Sequence, residues 1–423
     1  MQKIIEKSQN TLNGEITIPA DKSISHRAVI FSSLANGKSI IKNFSKGQDP
    51  LSSLKICQQL GIQAEIKEDL IINSTGKLTA PTNLLDCGNS GTTMRFMVGI
   101  LAARNFKSVL IGDESLSKRP MKRVIEPLNL MGAKIIATDN HAPLTIHGQE
   151  LHSIDFTSKL ASAQVKSCIL LAGINCEGKT TFTEPYISRN HTEIMLKFMG
   201  ANISAKNNSV SIEKSQLEPR TIEICGDISS AAYFITAGLI VPNSKIILKN
   251  VGLNPTRTGI LEVVEKMGGN IEILDKRTVS GEDVGDIQIT YSNLKACTIE
   301  GEIIPRLIDE LPVIAVLATQ AEGTTVIKDA QDLRNKESDR IQAVVTELQK
   351  IGADIEETLD GFIINGKKKL KGGCEVETYH DHRLAMSLYV AGLVCENPLI
   401  INGFEWVNIS FPEFEQLFES LKN

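Results

Sequence analysis

The sequence predicts an α/β protein in which helices form the interior and β-sheets lie outside. The first reason is a repeat, because one unit occurs six times along the 423 residues. Each unit runs from a nearly uncharged helical segment through a β-rich strand into an amphipathic helix, which ends at glycine in the first five copies. These glycines are Gly61, Gly132, Gly200 and Gly268, spaced 71, 68 and 68 residues apart, and Gly352 after a further 84. So regular a period indicates a structural unit.

The second reason is that each unit contains two kinds of helix. The segments 26–35, 311–318 and 383–391 are apolar nearly all round, so they must be buried on most faces. The segment 336–348 is amphipathic and predicts a helix that packs on strands with one face in water. On that helix Lys336 and Arg340 would share one face, four residues apart.

The strands and turns of the unit are equally regular. Each glycine that ends a helix fits the left-handed conformation just beyond the last turn. The predicted strands follow a turn and read 37–41, 106–110, 178–182, 243–247, 323–327 and 397–401. Six units of about 70 residues exceed one comfortable core, so three units in each of two domains are expected.

Composition excludes several classes of function. The net charge is −5, which lacks the basic bias of a nucleic-acid-binding protein. No stretch approaches the ~20 apolar residues that span a bilayer. The eight cysteines show no metal-ligand spacing and suit a reducing compartment. We therefore expect a cytoplasmic monomer whose partners are small molecules, with neither nucleic acid nor membrane.

Polar clusters precede the apolar helices of all six units. Helix N-termini leave N–H groups unpaired and carry partial positive charge, so they favour bound anions. The clusters lie at 21–27, 88–95, 162–167, 226–230, 309–312 and 381–383. Several such termini, brought together with lysine and arginine, would bind a small molecule with many negative charges.

Each cluster also has a structural interpretation. Lys22 and Arg27 beside a cap at Ser23 or Ser25 are as typical of a solvated helix start as of a phosphate site. The glycine-rich turn 88–92 lacks both the P-loop lysine and the dinucleotide-binding spacing. By themselves, the other polar groups are typical of caps, turns and solvated loops: Arg119, Ser162, Gln164, Arg189, Asp227, Ser229 and Ser230.

Asp309 and the residues near His380 are the remaining candidates. A carboxylate before a helix is normally a cap, but among cations Asp309 could accept a proton. His380 and His382 are two residues apart with no third ligand cluster, which disfavours a metal site.

Taken together, seven segments in chain order resemble the enolpyruvyl transferase family, in its shikimate 3-phosphate branch. They are 19–27, 86–92, 119–120, 161–167, 254–259, 336–340 and 381–383. The resemblance implies two domains of three βαβαββ units each, which close around the substrates. One domain would comprise residues 1–14 and 228–423, and the inserted domain residues 15–227.

The resemblance also implies a reaction. The enolpyruvyl group of phosphoenolpyruvate would pass to the 5-hydroxyl of shikimate 3-phosphate and release phosphate through a tetrahedral intermediate. This step belongs to the shikimate pathway, towards chorismate and the aromatic amino acids, and uses no metal and no organic cofactor.

Site residues follow by position within the resembling segments. Asp309 would take the hydroxyl proton, Glu337 or Lys22 would move the proton at C3, and Arg95 would assist at the glycine turn. Shikimate 3-phosphate would be held by Lys22, Ser23, Arg27, Ser162, Ala163, Gln164, Arg189, Asp309 and Lys336. Phosphoenolpyruvate would be held by Lys22, Gly91, Arg119, Gln164, Arg340 and Arg383.

Three departures from the family pattern and two alternatives remain. Ala20 replaces a glycine, Ala163 a second serine, and Ile409 a lysine that some members carry. One alternative is the UDP-N-acetylglucosamine branch, whose reactive cysteine before Arg-Pro is absent from 114–120. The other is a catalytically silent anion-binding protein. Substitution of Asp309 would discriminate between an enzyme and such a protein.

Overall fold

The chain divides into two compact units. The structure is a computed structural model and describes residues 1–8 and 11–422. Unit 1 comprises Met1–Pro19, Cys225–Thr278 and Asp283–Asn423, and unit 2 comprises Ala20–Ile224 and Val279–Glu282. The boundary expected after residue 14 falls inside a strand of unit 1, Asn13–Thr17, and the units change at Pro19.

The helices of the described residues are numbered in chain order. They are α1 (Lys22–Leu34), α2 (Gln48–Gln59), α3 (Gly91–Ala102), α4 (Glu114–Ser117), α5 (Lys122–Leu130), α6 (Ala163–Gly173), α7 (His191–Phe198), α8 (Ile228–Ile240), α9 (Gly259–Lys266), α10 (Leu311–Thr319), α11 (Arg340–Lys350), α12 (His382–Gly392) and α13 (Phe414–Ser420). Short 3₁₀ segments cover Gly301–Arg306, Gln331–Asn335 and Phe404–Ile409. None of the described helices is long and apolar enough to cross a membrane.

The strands are numbered in the same way. They are β1 (Gln2–Ile5), β2 (Asn13–Thr17), β3 (Asn36–Lys42), β4 (Gln63–Ile66), β5 (Leu70–Thr75), β6 (Leu85–Asp86), β7 (Lys107–Ile111), β8 (Lys134–Thr138), β9 (His141–His147), β10 (Asp155–Thr157), β11 (Lys179–Thr183), β12 (Ile203–Lys206), β13 (Ser209–Glu213), β14 (Thr221–Glu223), β15 (Lys245–Gly252), β16 (Asn270–Val279), β17 (Glu282–Thr290), β18 (Thr298–Ile299), β19 (Thr324–Ile327), β20 (Asp354–Thr358), β21 (Gly361–Asn365), β22 (Glu375–Glu377) and β23 (Leu399–Asn402).

Within the described ranges these strands form six sheets, of which five have four strands and the sixth, β1-β23-β22, has three. In β6-β7-β9-β8 the first pair is parallel and the other two are antiparallel. A parallel pair needs a crossover connection, and α3 supplies it here. The other sheets of unit 2 are β14-β3-β5-β4 and β10-β11-β13-β12, and those of unit 1 are β16-β17-β15-β2, β18-β19-β21-β20 and β1-β23-β22. The βαβαββ repeat is thus confirmed, with β14 closing the first sheet of unit 2 from the far end of that unit.

The two kinds of helix are also confirmed. All residues of the crossover helices α10 and α12 are buried, and α10 packs on α12 and on α8, in which only Ser230 is not buried. The amphipathic helix α9 instead buries a stripe made of Gly259, Ile260, Val263 and Val264. The glycines that end the amphipathic helices all have positive φ, for example 93° at Gly61 and 95° at Gly352.

An aromatic cluster in unit 1 fixes the helices that carry its polar N-termini. Phe234 of α8 stacks on Phe418 of α13 with ring centroids 4.2 Å apart. Tyr389 of α12 meets Phe414 of α13 edge to face at 5.2 Å. Because α13 contacts both helices, it sets the positions from which their first turns present side chains.

One predicted helix starts later than expected. The sequence placed Lys336 and Arg340 on one helical face, but α11 begins at Arg340 and this prediction is wrong. Asp339 is the N-cap, with ψ of 90°, and accepts hydrogen bonds from the N–H groups of Ile341 and Gln342 at 3.1 Å each. A cap residue has non-helical dihedrals, so Lys336 precedes the helix in extended backbone.

Candidate active site

Three capped helix starts in unit 2 carry most of the predicted residues of that unit, whereas Arg119 and Arg189 lie outside the helices. Asp21, not Ser23 or Ser25, caps α1 by accepting from the Ile24 N–H at 2.7 Å. Ser90 caps α3, and Ser162 caps α6 through the Val165 N–H at 3.5 Å. Lys22, Gly91 and Ala163 therefore lie in first turns, where backbone N–H groups point outward.

Arg27 is a buried cation behind the start of α1. It donates to the carbonyl oxygen of Ser23 at 2.8 Å and to Thr192 Oγ1 at 2.8 Å, and it lies 4.9 Å from the ring of Phe96. Burial lowers the pKa of Arg27 to about 10, with nearby Arg189 adding to the effect, so the guanidinium remains charged at neutral pH. Arg27 thus holds Ser23 in place and supplies fixed positive charge.

Two guanidinium groups converge on Gly91 at the start of α3. A Cβ atom at this position would lie 2.9 Å from NH1 of Arg95 and 3.5 Å from NH1 of Arg119. Arg95 donates to the side-chain oxygen of Gln164. Arg119 donates to Asn89 at 3.0 Å, within the glycine-rich turn. The absence of a side chain at Gly91 leaves the first turn of α3 open beside two cations, which suits an anionic group.

Three contacts between lysines and acidic residues in unit 2 were not foreseen from the sequence. The Lys22 ammonium donates to Asp49 of α2 at 2.9 Å. Lys166, which is 1% exposed, pairs with Glu184 at 2.9 Å and Glu193 at 2.8 Å. Glu184 also accepts from the Ser188 N–H, so this buried ion pair orders the loop that carries Arg189. No local pattern announces such contacts, because the partners come from separate elements.

In unit 1, Asp309 lies among three cations. Its carboxylate oxygens are 3.5 Å from Arg340, 3.7 Å from Arg383 and 3.8 Å from Lys336. Asp309 does not act as a helix cap, because Glu310 holds that position in α10 and its side chain makes no capping hydrogen bond. The interpretation as a simple cap is therefore ruled out for Asp309.

Arg340 is held by two other carboxylates. It donates from Nε to Asp381 at 2.7 Å and from NH2 to Glu337 at 2.6 Å, and it is 1% exposed. Burial works against its charge, but Asp381 and Glu337 outweigh burial and raise the pKa of Arg340. Burial likewise opposes the charge of Asp381, and Arg340 outweighs it to lower the pKa of that carboxyl. Both groups are therefore ionised at neutral pH.

A buried network of polar side chains surrounds Arg383. Asp381 caps α12 by accepting from the N–H of Arg383 at 2.9 Å. Burial opposes the charge of Arg383, but Asp309, Tyr233 and Glu310 outweigh it and raise its pKa. Glu310 in turn accepts from Ser229, so the N-terminus of α8 supports the cluster.

The neighbouring polar groups have other roles. Asp227 caps α8, as its sequence context indicated, and pairs with buried Arg257 at 3.2 Å. His380 packs on Trp406 with ring centroids 4.6 Å apart, and His382 is the buried first residue of α12. Glu310 and Arg257 were missed, because only the fold brings them to Ser229.

Solved structures of known proteins share this fold. Two structures of EPSP synthase from Acinetobacter baumannii match with TM-scores of 0.90 and 0.89, at 40% and 39% identity. Both matches cover 100% of this chain and 98% of the other. The architecture is therefore that of the enolpyruvyl transferases, as the sequence segments implied.

Relatives and a family model narrow this class. The model for EPSP synthase (3-phosphoshikimate 1-carboxyvinyltransferase) matches residues 6–418. Relatives named 3-phosphoshikimate 1-carboxyvinyltransferase include those of Bacillus licheniformis, 51% identical over 97% of this chain and 98% of the relative, and Petrotoga mobilis, 50% identical over 100% of both. That of Bacillus subtilis is 52% identical over 96% of each chain. The chain belongs to the EPSP synthase family.

Proposed function

We propose that this chain transfers the enolpyruvyl group of phosphoenolpyruvate to the 5-hydroxyl of shikimate 3-phosphate and releases phosphate, in the shikimate pathway of aromatic amino-acid biosynthesis. Membership of the EPSP synthase family supports the reaction. The structural observation that carries it is Asp309, a carboxylate within 4 Å of Arg340, Arg383 and Lys336. A base surrounded by cations stays ionised beside anionic substrates.

Two overlapping sets of residues are proposed to bind the two substrates. Arginine suits planar carboxylates and phosphates because its guanidinium offers paired donors. The ligands proposed for phosphoenolpyruvate are Lys22, Gly91, Arg119, Gln164, Arg340 and Arg383, with Arg95 beside Gly91. The ligands proposed for shikimate 3-phosphate are Lys22, Ser23, Arg27, Ser162, Ala163, Gln164, Arg189, Asp309 and Lys336.

Local geometry supports the assignments of Ser162, Ala163 and Gln164. Ser162 uses its hydroxyl oxygen to cap α6 and keeps its proton to donate to a phosphate oxygen. Ala163 follows at the first position of α6, where it offers a backbone N–H. Gln164 contacts both Arg95 and Thr92, which orients its amide towards the start of α3.

The chemistry follows from addition and elimination. Asp309 accepts the proton of the 5-hydroxyl as that oxygen bonds to C2 of phosphoenolpyruvate, while C3 takes a proton from Glu337 or Lys22. The C2–O(phosphate) bond then breaks and the proton leaves C3, which restores the double bond. Glu337 contacts Arg340, and Lys22 contacts Asp49, so both groups have an adjacent opposite charge.

Cations also make the encounter of the substrates favourable. Both substrates carry several negative charges and repel each other in water. Holding them with fixed cations offsets that repulsion and aligns the hydroxyl with C2.

The reaction is tested by measuring phosphate release from phosphoenolpyruvate, with and without shikimate 3-phosphate, in metal-chelated buffer. Release that requires shikimate 3-phosphate and survives chelation supports the proposal. Release with UDP-N-acetylglucosamine instead would indicate the other branch of the family. No release with either acceptor would favour a silent anion-binding protein. The cytoplasmic location and the monomeric state stay predictions from the sequence.

A further inference from the structure

A tight turn in unit 1 leads directly into the arginine cluster. The N–H of Asp381 donates to the carbonyl oxygen of Thr378 at 2.8 Å and closes a four-residue turn. Its two central residues, Tyr379 and His380, both have left-handed backbone, with φ of 51° and 60°. Turns with two left-handed central residues favour Asn-Gly, because a Cβ atom disfavours this conformation. A Tyr-His pair is therefore strained here.

Burial of the two rings does not compensate for this strain. Tyr379 is 45% exposed, and His380 is exposed as well. Strained residues persist when their surroundings hold them, and they cluster at functional sites. The question is what holds this turn and what it positions.

Two contacts hold the turn. The Tyr379 hydroxyl donates to the carboxylate of Glu347 at 2.7 Å, and the His380 ring packs on Trp406 at 4.6 Å. Burial and the hydrogen bond to Glu347 raise the pKa of Tyr379 to about 12, so the hydroxyl keeps its proton at neutral pH. Gly403, with φ of 77°, permits the close approach of Thr378 to the segment that carries Trp406.

The turn and helix α11 are connected at two points. Arg340 and Glu347 lie seven residues apart on α11, hence on one face of the helix. Arg340 binds Asp381 at the end of the turn, and Glu347 binds Tyr379 within it. Two attachments along one helix fix its orientation relative to the turn, whereas a single attachment would let the helix pivot about Asp381.

Asp381 passes this order on to both arginines. Its carboxylate accepts from Arg340 at 2.7 and 3.2 Å and from Ser338 at 3.0 Å. It also accepts from the N–H of Arg383 at 2.9 Å. A shift of Asp381 would therefore move both guanidinium groups together.

We propose that Tyr379 and His380 are positioning residues for the phosphoenolpyruvate site. The left-handed turn, held by Glu347 and Trp406, places Asp381 so that Arg340 and Arg383 face their ligand. This inference rests on the proposed roles of Arg340 and Arg383 in binding phosphoenolpyruvate.

A matched pair at His380 tests the backbone conformation. Both His380→Gly and His380→Val remove the ring that packs on Trp406, but only glycine adopts the left-handed conformation without strain. In H380G the relief of backbone strain opposes the loss of the Trp406 contact, so we expect the KM for phosphoenolpyruvate to stay within about twofold of the parent. In H380V both effects are unfavourable, and the KM should rise by about tenfold. The KM for shikimate 3-phosphate should change little in either variant.

Tyr379→Phe tests the attachment to Glu347 and leaves the His380–Trp406 contact in place. We expect it to raise the KM for phosphoenolpyruvate by about three- to tenfold, since a hydrogen bond to a charged group is lost. Trp406 is the only tryptophan in the chain, so its fluorescence can report phosphoenolpyruvate binding directly, with shikimate 3-phosphate present. The dissociation constant should shift by the same factor.

Two further variants distinguish failure of this inference from failure of the proposed binding site. Lys367 is also left-handed, with φ of 59°, but lies outside the arginine cluster, so Lys367→Val should lower Tm without changing the KM. Arg383→Lys probes the proposed ligand itself. If R383K raises the KM for phosphoenolpyruvate but H380G, H380V and Y379F all keep the parental value, the inference fails alone. If R383K also leaves it unchanged, the proposed binding role fails and the inference fails with it. Should H380V not fold, Y379F decides.

Discussion

Replacing Asp309 with asparagine should lower kcat by a factor of about 10² to 10⁴, because an amide of the same shape cannot accept the hydroxyl proton. Asparagine keeps an oxygen that can still accept a hydrogen bond from shikimate 3-phosphate, so the same change should not weaken substrate binding. Asp309 lies 3.5 to 3.8 Å from Arg340, Arg383 and Lys336, so its loss leaves these cations with one less counter-charge. Opposite unit charges 4 Å apart attract each other by about 1 kcal/mol in water. An anionic substrate that gains one such interaction would therefore bind about fivefold more tightly.

The assay separates these effects. Initial rates of phosphate release at saturating substrates report kcat, and calorimetric titration with shikimate 3-phosphate reports binding. The matched control is Asp332→Asn, because Asp332 also pairs with Lys336, at 3.2 Å, but is 48% exposed. D332N should keep the parental kcat. If D309N turns over within threefold of the parent, or if D332N loses as much activity, then Asp309 is not the base.

Three other substitutions probe binding, buried charge and pH. Gly91→Ala should raise the KM for phosphoenolpyruvate by about tenfold in phosphate-release assays, because the new Cβ would sit 2.9 Å from Arg95 NH1 and displace it. Lys166→Met should lower the free energy of unfolding in urea by about 3–5 kcal/mol, since it leaves two buried glutamates without their counter-charge. Burial lowers the pKa of His26 to about 3, below the ordinary value of 6.5, so its contribution to stability is complete above pH 6.5 and is lost as the pH falls towards 3. The free energy of unfolding should therefore fall between pH 7.0 and pH 4.5 by about 2–3 kcal/mol less in His26→Asn than in the parent. An equal fall in both proteins would contradict the lowered pKa of His26.

Periodic features of the fold could be predicted because they are local. A helix that is apolar on every face has no stable place in water, so 311–318 had to be buried, and α10 is. Gly352 follows the amphipathic helix α11 and takes the left-handed backbone that such an ending requires. Both inferences need only the identity and spacing of neighbours in the chain.

Capping residues were harder to assign from the sequence. The sequence indicated Ser23 or Ser25 as the cap of α1, but Asp21 performs that role. Asp339 interrupts what looked like a continuous helix from 336, because its carboxylate satisfies two backbone N–H groups at the first turn. Several polar residues in a row leave the start of a helix undetermined until packing selects one.

By itself, the sequence determined the repeat, the two kinds of helix and the polar clusters that precede the apolar helices, because hydrophobic periodicity and family segments are written along the chain. Only the tertiary structure decided which charges meet. Lys166 between two glutamates, Asp49 at Lys22 and the Tyr379 turn clamped to Glu347 join elements far apart in sequence. Such pairs depend on distances of 2.7 to 2.9 Å, which the chain acquires only when separate helices and strands have packed.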